Sequence, residues 1–119
     1  MDQSQWHAHL QSAFTADAAR GIEAVYRIRC ADAPTYSLRI ADNRLMCWIG
    51  EERAEAAQPT VTIHFDSFAN HCAIIEGRMD PMQAFLEGRF RADGHIVLAM
   101  RMLHVFMPKH ARTGPADLR

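Results

Sequence analysis

Histidines and acids are the first side chains to consider for catalysis or metal binding. His64 and Asp66 lie two residues apart at the predicted end of a strand, where they could pair. His64 and His71 are seven residues apart, and neither has a carboxylate or cysteine at a spacing typical of a metal site. We expect His64 to be solvated at a strand end, and we predict neither a metal nor a cofactor.

The pattern of the three cysteines predicts thiols that pack in the core and favours this role over that of nucleophiles. Cys30, Cys47 and Cys72 are odd in number and widely spaced, and no C-x-x-C pair occurs. Such a set predicts reduced thiols in a cytosol-like compartment. The first two fall on predicted strands and the third on the apolar stripe of a predicted helix, so packing is the favoured role.

The other motif classes of enzymes are missing from the sequence. The stretch from Gly88 to Gly94 is neither a phosphate-binding loop nor a dinucleotide fingerprint. No serine lies in a nucleophile elbow. The remaining histidine pairs are predicted to lie on the surface, and their members are His7 with His9 and His104 with His110. We therefore predict that the protein is not an enzyme.

The length and net charge of the chain limit the classes of function that remain. The 119 residues predict one domain, residues 1–119, which buries roughly two-thirds of its unfolded surface. The net charge of −1 argues against nucleic acid as a partner. No apolar run approaches the length of a membrane span, and the N-terminus lacks a secretory pattern, so we expect a cytoplasmic protein. The basic C-terminal tail, with Lys109 and Arg112, could make at most transient contact with a membrane surface.

The first half of the chain changes its hydrophobic period. An apolar stripe of period 3.6 predicts a helix from Ser4 to Gly21. Alternation of period two then predicts four strands, which we expect to form an antiparallel meander. These strands span Ile22–Cys30, Tyr36–Ile40, Arg44–Gly50 and Thr60–Phe65, with Asp42-Asn43 as a tight turn.

The second half is mainly helical. Asp66 or Ser67 caps a helix that stops at Gly77, and Asp80-Pro81 begins another that ends at Gly88. A short strand from Arg89 to Ala92 leads into a last helix, from His95 to Met107. The order of elements indicates an α+β fold.

Two elements are more apolar than a small domain requires. From Ile96 to Met107 only Arg101 and His104 are polar, so the last helix must be covered on two sides. The strand from Leu45 to Ile49 is apolar on both faces, which a homodimer contact, a partner protein or a neighbouring loop would explain. The methionines cluster in the second half, where they suit either a ligand pocket or core packing; they are Met79, Met82, Met100, Met102 and Met107.

One segment resembles a known family. Residues 76–94 read EGRMDPMQAFLEGRFRADG, and Leu98-Ala99-Met100 follows. The order of glycine, Asp-Pro, an apolar helix with Ala-Phe, glycine, a short strand, glycine and a Leu-Ala-rich helix resembles the sterol carrier protein type-2 domain family. The resemblance covers most of the chain and is strongest from Thr60 to Phe106; the first half agrees in element order more than in residues.

The resemblance implies a fold and a ligand class. It implies a five-stranded, mainly antiparallel sheet covered on one face by helices, with an apolar tunnel between them. Members of the family bind fatty acids, acyl-CoA, sterols or isoprenoid lipids without transforming them. Matching by residue implies a lipid-binding role for seven side chains, which are Met82, Phe85, Leu86, Val97, Met100, Leu103 and Phe106. Arg101 and His104 are the polar candidates for a headgroup contact.

Two departures from the family pattern matter. Position 95 is histidine where the family more often has a small polar or acidic residue. The peroxisomal C-terminal signal of eukaryotic members is absent, so we expect a bacterial, single-domain member. An accessory module that presents lipid intermediates to other enzymes, for example in quinone biosynthesis, is the alternative function.

Overall fold

The computed structural model describes residues 3–49 and 59–106 of the chain. Within these ranges the elements follow in a helix, four strands, two helices, a strand and a helix, as an α+β fold requires. The helices are α1 (Gln3–Ala13), α2 (Phe68–Ile75), α3 (Pro81–Leu86) and α4 (Ile96–Val105). The strands are β1 (Ala24–Cys30), β2 (Ala33–Ala41), β3 (Arg44–Ile49), β4 (Val61–Phe65) and β5 (Phe90–Gly94).

The five strands form one open sheet in the order β3-β2-β1-β4-β5. β1, β2 and β3 form the predicted meander, and Asp42 and Asn43 make its second turn with φ of 53° and 58°. The prediction that β4 continues the meander is wrong. β4 returns to the other side of β1 and pairs with it in parallel, with Tyr26 opposite Val61. Among the described strands β3 therefore lies at one edge of the sheet, and β5, antiparallel to β4, lies at the other.

The helices cover one face of the sheet, and every second residue of a strand places its side chain beneath them. Tyr26 and Ile28 on β1 and Tyr36 and Leu38 on β2 are wholly buried on this face. Their neighbours on the chain, including Arg39, point to the opposite face, which we call the outer face.

Local signals fix the helix ends in the second half. Ser67, rather than Asp66, caps α2 by accepting from the Asn70 backbone N–H at 3.0 Å. The Asp80 carboxylate caps α3 by accepting from the Gln83 backbone N–H at 2.8 Å. His95, which departs from the family pattern, is also a helix cap. Its ring accepts from the Leu98 backbone N–H at 3.3 Å and so caps α4.

The first helix is shorter than its apolar stripe predicts. α1 ends at Ala13, and a series of turns leads from there to Gly21. The reason is a tertiary hydrogen bond: the Thr15 backbone N–H donates to the Val105 carbonyl at 3.2 Å, at the end of α4. The predicted end of α4, at Met107, lies outside the described residues, as do Lys109, His110 and Arg112.

Candidate functional site

Large apolar side chains lie exposed on α3 and on the first turn of α4. We call this set the apolar patch, and its members are Met82 (54% exposed), Phe85 (38%), Leu86 (76%), Ile96 (42%) and Val97 (58%). Both helices pack on β5, so the two parts of the patch flank the same edge strand. A cluster of this kind on a small domain marks a ligand or partner site more often than single exposed residues do.

Half-buried apolar side chains near the patch pack against the core. They are Met79, Leu98 and Met100 together with Ala92 on β5. Further in, Ala84, Phe90 and Leu103 are buried. α3 itself is anchored by only two buried side chains, Pro81 and Ala84. Apolar groups therefore run from the solvent to the core on the β5 side of the domain.

The seven side chains expected to bind lipid occupy three levels of this region. Met82, Phe85, Leu86 and Val97 belong to the apolar patch. Met100 is half-buried, while Leu103 and Phe106 lie in the core. The expected residues therefore differ in burial, from the exposed patch to the core.

The two candidate headgroup residues make bonds within α4 and to its neighbours. The exposed Arg101 guanidinium donates to the carbonyls of Arg20 at 2.9 Å and of Ala18 at 3.4 Å. His104 Nδ1 lies 2.8 Å from the carbonyl of Met100, one turn earlier. Arg101 keeps donors to spare for an anion, because guanidinium carries five N–H groups. The bond of His104 to Met100 turns its ring back onto the helix.

A hydrogen-bonded group of rings lies at the other end of the core. The Trp6 indole N–H donates to the Tyr36 hydroxyl at 3.1 Å, and that hydroxyl lies 2.7 Å from Nε2 of His71. All three residues are wholly buried and come from three elements, α1, β2 and α2. His71 also lies 5.0 Å from the Phe65 ring and stacks on Phe68. We call Trp6, Tyr36 and His71 the ring cluster.

Donor chemistry fixes one bond of the ring cluster, and burial keeps His71 neutral. The indole can only donate, so the Tyr36 oxygen accepts from it. In the His71 tautomer with its proton on Nδ1, the Tyr36 hydroxyl donates to Nε2. Burial lowers the His71 pKa to about 3, against a smaller opposing effect of a hydrogen bond to the Phe68 backbone. Burial likewise raises the Tyr36 pKa well above its ordinary value.

Other histidines differ from their predicted surroundings. The partner of His64 is Asp93 on β5, at 2.9 Å, and not Asp66. His7 is partly buried against the Tyr36 ring, and burial lowers its pKa. His9 lies 3.2 Å from Glu76. The prediction that His7 is a surface residue is therefore wrong, because its ring lies against Tyr36 in the sheet, whereas His9, with 38% of its side chain exposed, lies at the surface.

Groups for metal or thiol chemistry are not assembled in the described part of the chain. No three histidine, cysteine or acidic side chains within residues 3–49 and 59–106 lie close enough to hold a metal ion. Burial raises the pKa of Cys30 and of Cys47 to about 12, and that of Cys72 to about 11. These thiols are protonated at neutral pH and are poor nucleophiles.

Clefts at the rim of the outer face do not resemble an acyl-chain site. One of about 300 Å³ is lined by Arg39, Asp42 and Arg44 together with Ala41, Leu45 and Met46. Another, of about 350 Å³, is lined by Phe65, Gly88 and Phe90 together with His64, Asp66, Arg89 and Arg91. The charged side chains at both clefts favour water over hydrocarbon, so the patch on the helical face is the better candidate.

Most of the chain matches the sequence pattern of one protein family. The model of the SCP-2 sterol transfer family matches residues 4–107. The chain belongs to the SCP-2 sterol transfer family. Domains of this family bind or transfer apolar lipids. No curated protein sequence matches this SCP-2 member. None of the helices among the described residues of this SCP-2 chain has the length and hydropathy to cross a membrane.

Solved structures confirm the SCP-2 fold at low sequence identity. The palmitated SCP2L2 of Aedes aegypti has a TM-score of 0.62 and 17% identity, over 89% of this chain and 95% of that one. The UbiJ-SCP2 ubiquinone synthesis protein has a TM-score of 0.60 and 14% identity, over 98% and 85%. The sec-alkylsulfatase Pisa1 from Pseudomonas sp. has a TM-score of 0.71 and 15% identity over 91% of this chain, which spans 17% of the sulfatase.

The ring cluster escaped the sequence interpretation. The lack of a metal-site spacing is the only inference that the sequence analysis draws for His71, although Phe68, His71 and Ile75 recur at i, i+3 and i+7 and so share one helical face. That spacing could have placed His71 in the core. Its partners, Trp6 and Tyr36, come from positions 65 and 35 residues away, which no local pattern connects.

Proposed function

We propose that this chain binds and carries an apolar ligand without transforming it. The ligand class is that of the family: a fatty acid, acyl-CoA, sterol or isoprenoid lipid. The observation that carries the proposal is the apolar patch, which leads through half-buried methionines into the core. We assign ligand contacts to the patch residues Met82, Phe85, Leu86 and Val97 and, further in, to Met100, Leu103 and Phe106.

Binding would be driven by removal of hydrocarbon from water. Each buried methylene contributes roughly 0.8 kcal/mol, so an acyl chain needs few polar contacts. Met79, Met82 and Met100 can follow ligands of different shape because the methionine side chain is flexible and polarizable. Specificity for the apolar part is therefore broad, and Arg101 is the group we assign to an anionic headgroup.

Entry is proposed between α3 and α4. α3 has six residues and rests on β5, so a small displacement of this helix would uncover Ala92 and Phe90. Helices this short depend on tertiary packing for stability. The palmitated relative from Aedes aegypti supports a fatty acid as the first ligand to test.

The proposal includes no catalytic step. Catalysis needs a titratable pair together with a nucleophile or a metal in a cleft. The His64–Asp93 pair has no metal-ligating set around it in the described ranges, and the ring cluster is enclosed. Domains of the family are generally carriers, and one neighbour in fold forms a small part of a sulfatase. The three free thiols fit a reducing compartment such as the cytoplasm.

Native mass spectrometry of the purified protein, followed by denaturing extraction, tests the proposal. We expect a co-purified lipid of defined mass, or uptake of a fluorescent fatty acid by the delipidated protein. A protein that is empty and takes up no fluorescent fatty acid would contradict it.

Matched variants locate the site. Leu86→Ser and Val97→Ser remove exposed apolar groups from the patch, and we expect each to weaken fatty-acid binding by roughly tenfold, as expected for the loss of one to two methylenes of contact. Met46→Ser is the control, because Met46 is similarly exposed (44%) but lies on the outer face of β3. Equal losses in all three variants would place the site elsewhere.

The alternative is an interaction module that presents lipid intermediates to other enzymes. Two observations favour it: the similarity in fold to the UbiJ-SCP2 ubiquinone synthesis protein, and the exposed Met46 and Ile49 on edge strand β3. This function predicts that Met46→Ser abolishes capture of a quinone-biosynthesis enzyme while lipid uptake stays intact. Loss of lipid uptake with capture intact would favour the carrier.

A further inference from the structure

A series of ring contacts leads from the apolar patch to the ring cluster. The ring centroid of Phe85 lies 5.5 Å from that of Phe90 on β5, and the Phe90 centroid lies 5.5 Å from that of Phe65 on β4. The Phe65 centroid lies 5.0 Å from that of His71. The series therefore crosses the sheet from its β5 edge and ends at a residue of the ring cluster.

The two ends of this path differ in how easily they can move. Phe85, Phe90 and Phe65 have no polar atoms, so a change of rotamer breaks no hydrogen bond. The ring cluster cannot move in this way, because displacing Tyr36 leaves the Trp6 indole and His71 Nε2 unpaired in the core. An unpaired buried polar group costs more than the burial of one further methylene gains.

The ring cluster also joins three elements across the core. Trp6 comes from α1 and Tyr36 from β2, and the His71 ring from α2 packs on both, with ring centroids 4.9 Å from Trp6 and 5.6 Å from Tyr36. Beyond the cluster, Leu38 on β2 and Leu45 on β3, the strand that packs against α1, are already buried. A ligand that advances from the patch meets this barrier before it reaches them.

We propose that the hydrogen-bonded rings of Trp6, Tyr36 and His71 close the inner end of the path and set the longest apolar chain that the protein accepts. This inference rests on the proposed function, and it assigns to these three residues the control of the length of the ligand's apolar chain. Ligands longer than the path must leave their remaining methylenes at the patch, in contact with water.

A series of saturated fatty acids from octanoate to stearate tests the inference, by displacement of a fluorescent fatty acid. In the wild-type protein we expect affinity to rise with each methylene and then to level off. Trp6→Leu opens the barrier and should raise the ratio of stearate to octanoate affinity about tenfold, since each buried methylene contributes about fourfold. Tyr36→Phe keeps the ring but removes both hydrogen bonds, and should raise the ratio in the same direction by less.

Trp48→Leu is the matched control, because it makes the same substitution as Trp6→Leu at another site. Trp48 lies on the outer face of β3 opposite Ser37, away from the path, so its variant should keep the wild-type ratio. An unchanged ratio in both Trp6→Leu and Tyr36→Phe overturns the inference, and so does an equal rise in Trp48→Leu. Failure of the wild-type protein to bind any member of the series overturns the proposed function instead, and the inference with it.

Discussion

The Tyr36 hydroxyl lies 2.7 Å from Nε2 of His71 and joins β2 to α2 in the core. The same hydroxyl accepts the Trp6 indole N–H, so one oxygen also attaches α1. Three elements that are distant in the chain thus share one polar atom. Burial keeps the imidazole of His71 neutral in this arrangement, because a charge there would be removed from water.

Stability should therefore depend on pH through His71. The folded-state pKa of about 3 is below the ordinary 6.5, because burial disfavours the imidazolium. The contribution of neutral His71 is fully present above pH 6.5 and is lost as the pH falls from 6.5 towards 3. The free energy of unfolding should fall by about 1.4 kcal/mol per pH unit from this group. Denaturant unfolding at a series of pH values measures the slope.

Two variants separate this effect from general acid destabilisation. His71→Phe removes the titrating group. The slope of its unfolding free energy against pH between pH 6 and pH 4 should therefore be smaller than that of the wild type by about 1.4 kcal/mol per pH unit, which corresponds to one proton. Phe68→Leu disturbs the ring stacked on His71 but keeps the imidazole, and should retain the wild-type slope. Identical slopes in wild type and His71→Phe would show that His71 does not control acid stability.

Glycine at position 94 should be essential for stability, whereas glycine at position 21 should not. Gly94 has φ of +112°, and a Cβ there would lie 2.6 Å from the Thr60 carbonyl oxygen. Gly94→Ala should cost about 3 kcal/mol of unfolding free energy, from backbone strain and this clash. Gly21 has φ of +82° with open space around it, so Gly21→Ala should cost about 1 kcal/mol. Equal losses in urea unfolding would show that the approach to Thr60 adds nothing.

Arg101 should distinguish anionic from neutral ligands. Arg101→Ala should weaken binding of a fatty acid by up to about fivefold, and that of the fatty alcohol of equal chain length much less, because an exposed charge contributes about 1 kcal/mol at most. Arg101→Lys keeps the charge and should retain the preference. Displacement titrations at low salt give both affinities. If Arg101→Ala weakens both ligands equally, Arg101 serves only to hold the carbonyls of Ala18 and Arg20.

The elements of the second half were predictable because their signals are local. Ser67 and Asp80 bond to backbone N–H groups three residues ahead, and Gly77 and Gly88 have the positive φ that ends a helix. Each of these interactions lies within one or two turns of the chain. The resemblance to the family rests on the same residues, which explains why it was strongest there.

The spread of the seven expected lipid contacts over three levels of burial was not predictable. An apolar residue has the same hydrophobicity whether it lines a site or fills the core, so Val97 and Leu103 are equivalent in sequence. Only the packing of α3 and α4 on β5 leaves Val97 exposed and buries Leu103. The neighbours of each side chain, which belong to other elements, decide this outcome.

The sequence by itself determined the fold class, the family and most element boundaries, because short-range periods, caps and turns encode them. Tertiary structure alone decided the parallel pairing of β1 with β4, the early end of α1 at Ala13 and the ring cluster. Each depends on groups far apart in the chain, such as the Thr15 N–H and the Val105 carbonyl. Contacts of that kind form only when the whole sheet and its helices are assembled, so no local pattern records them.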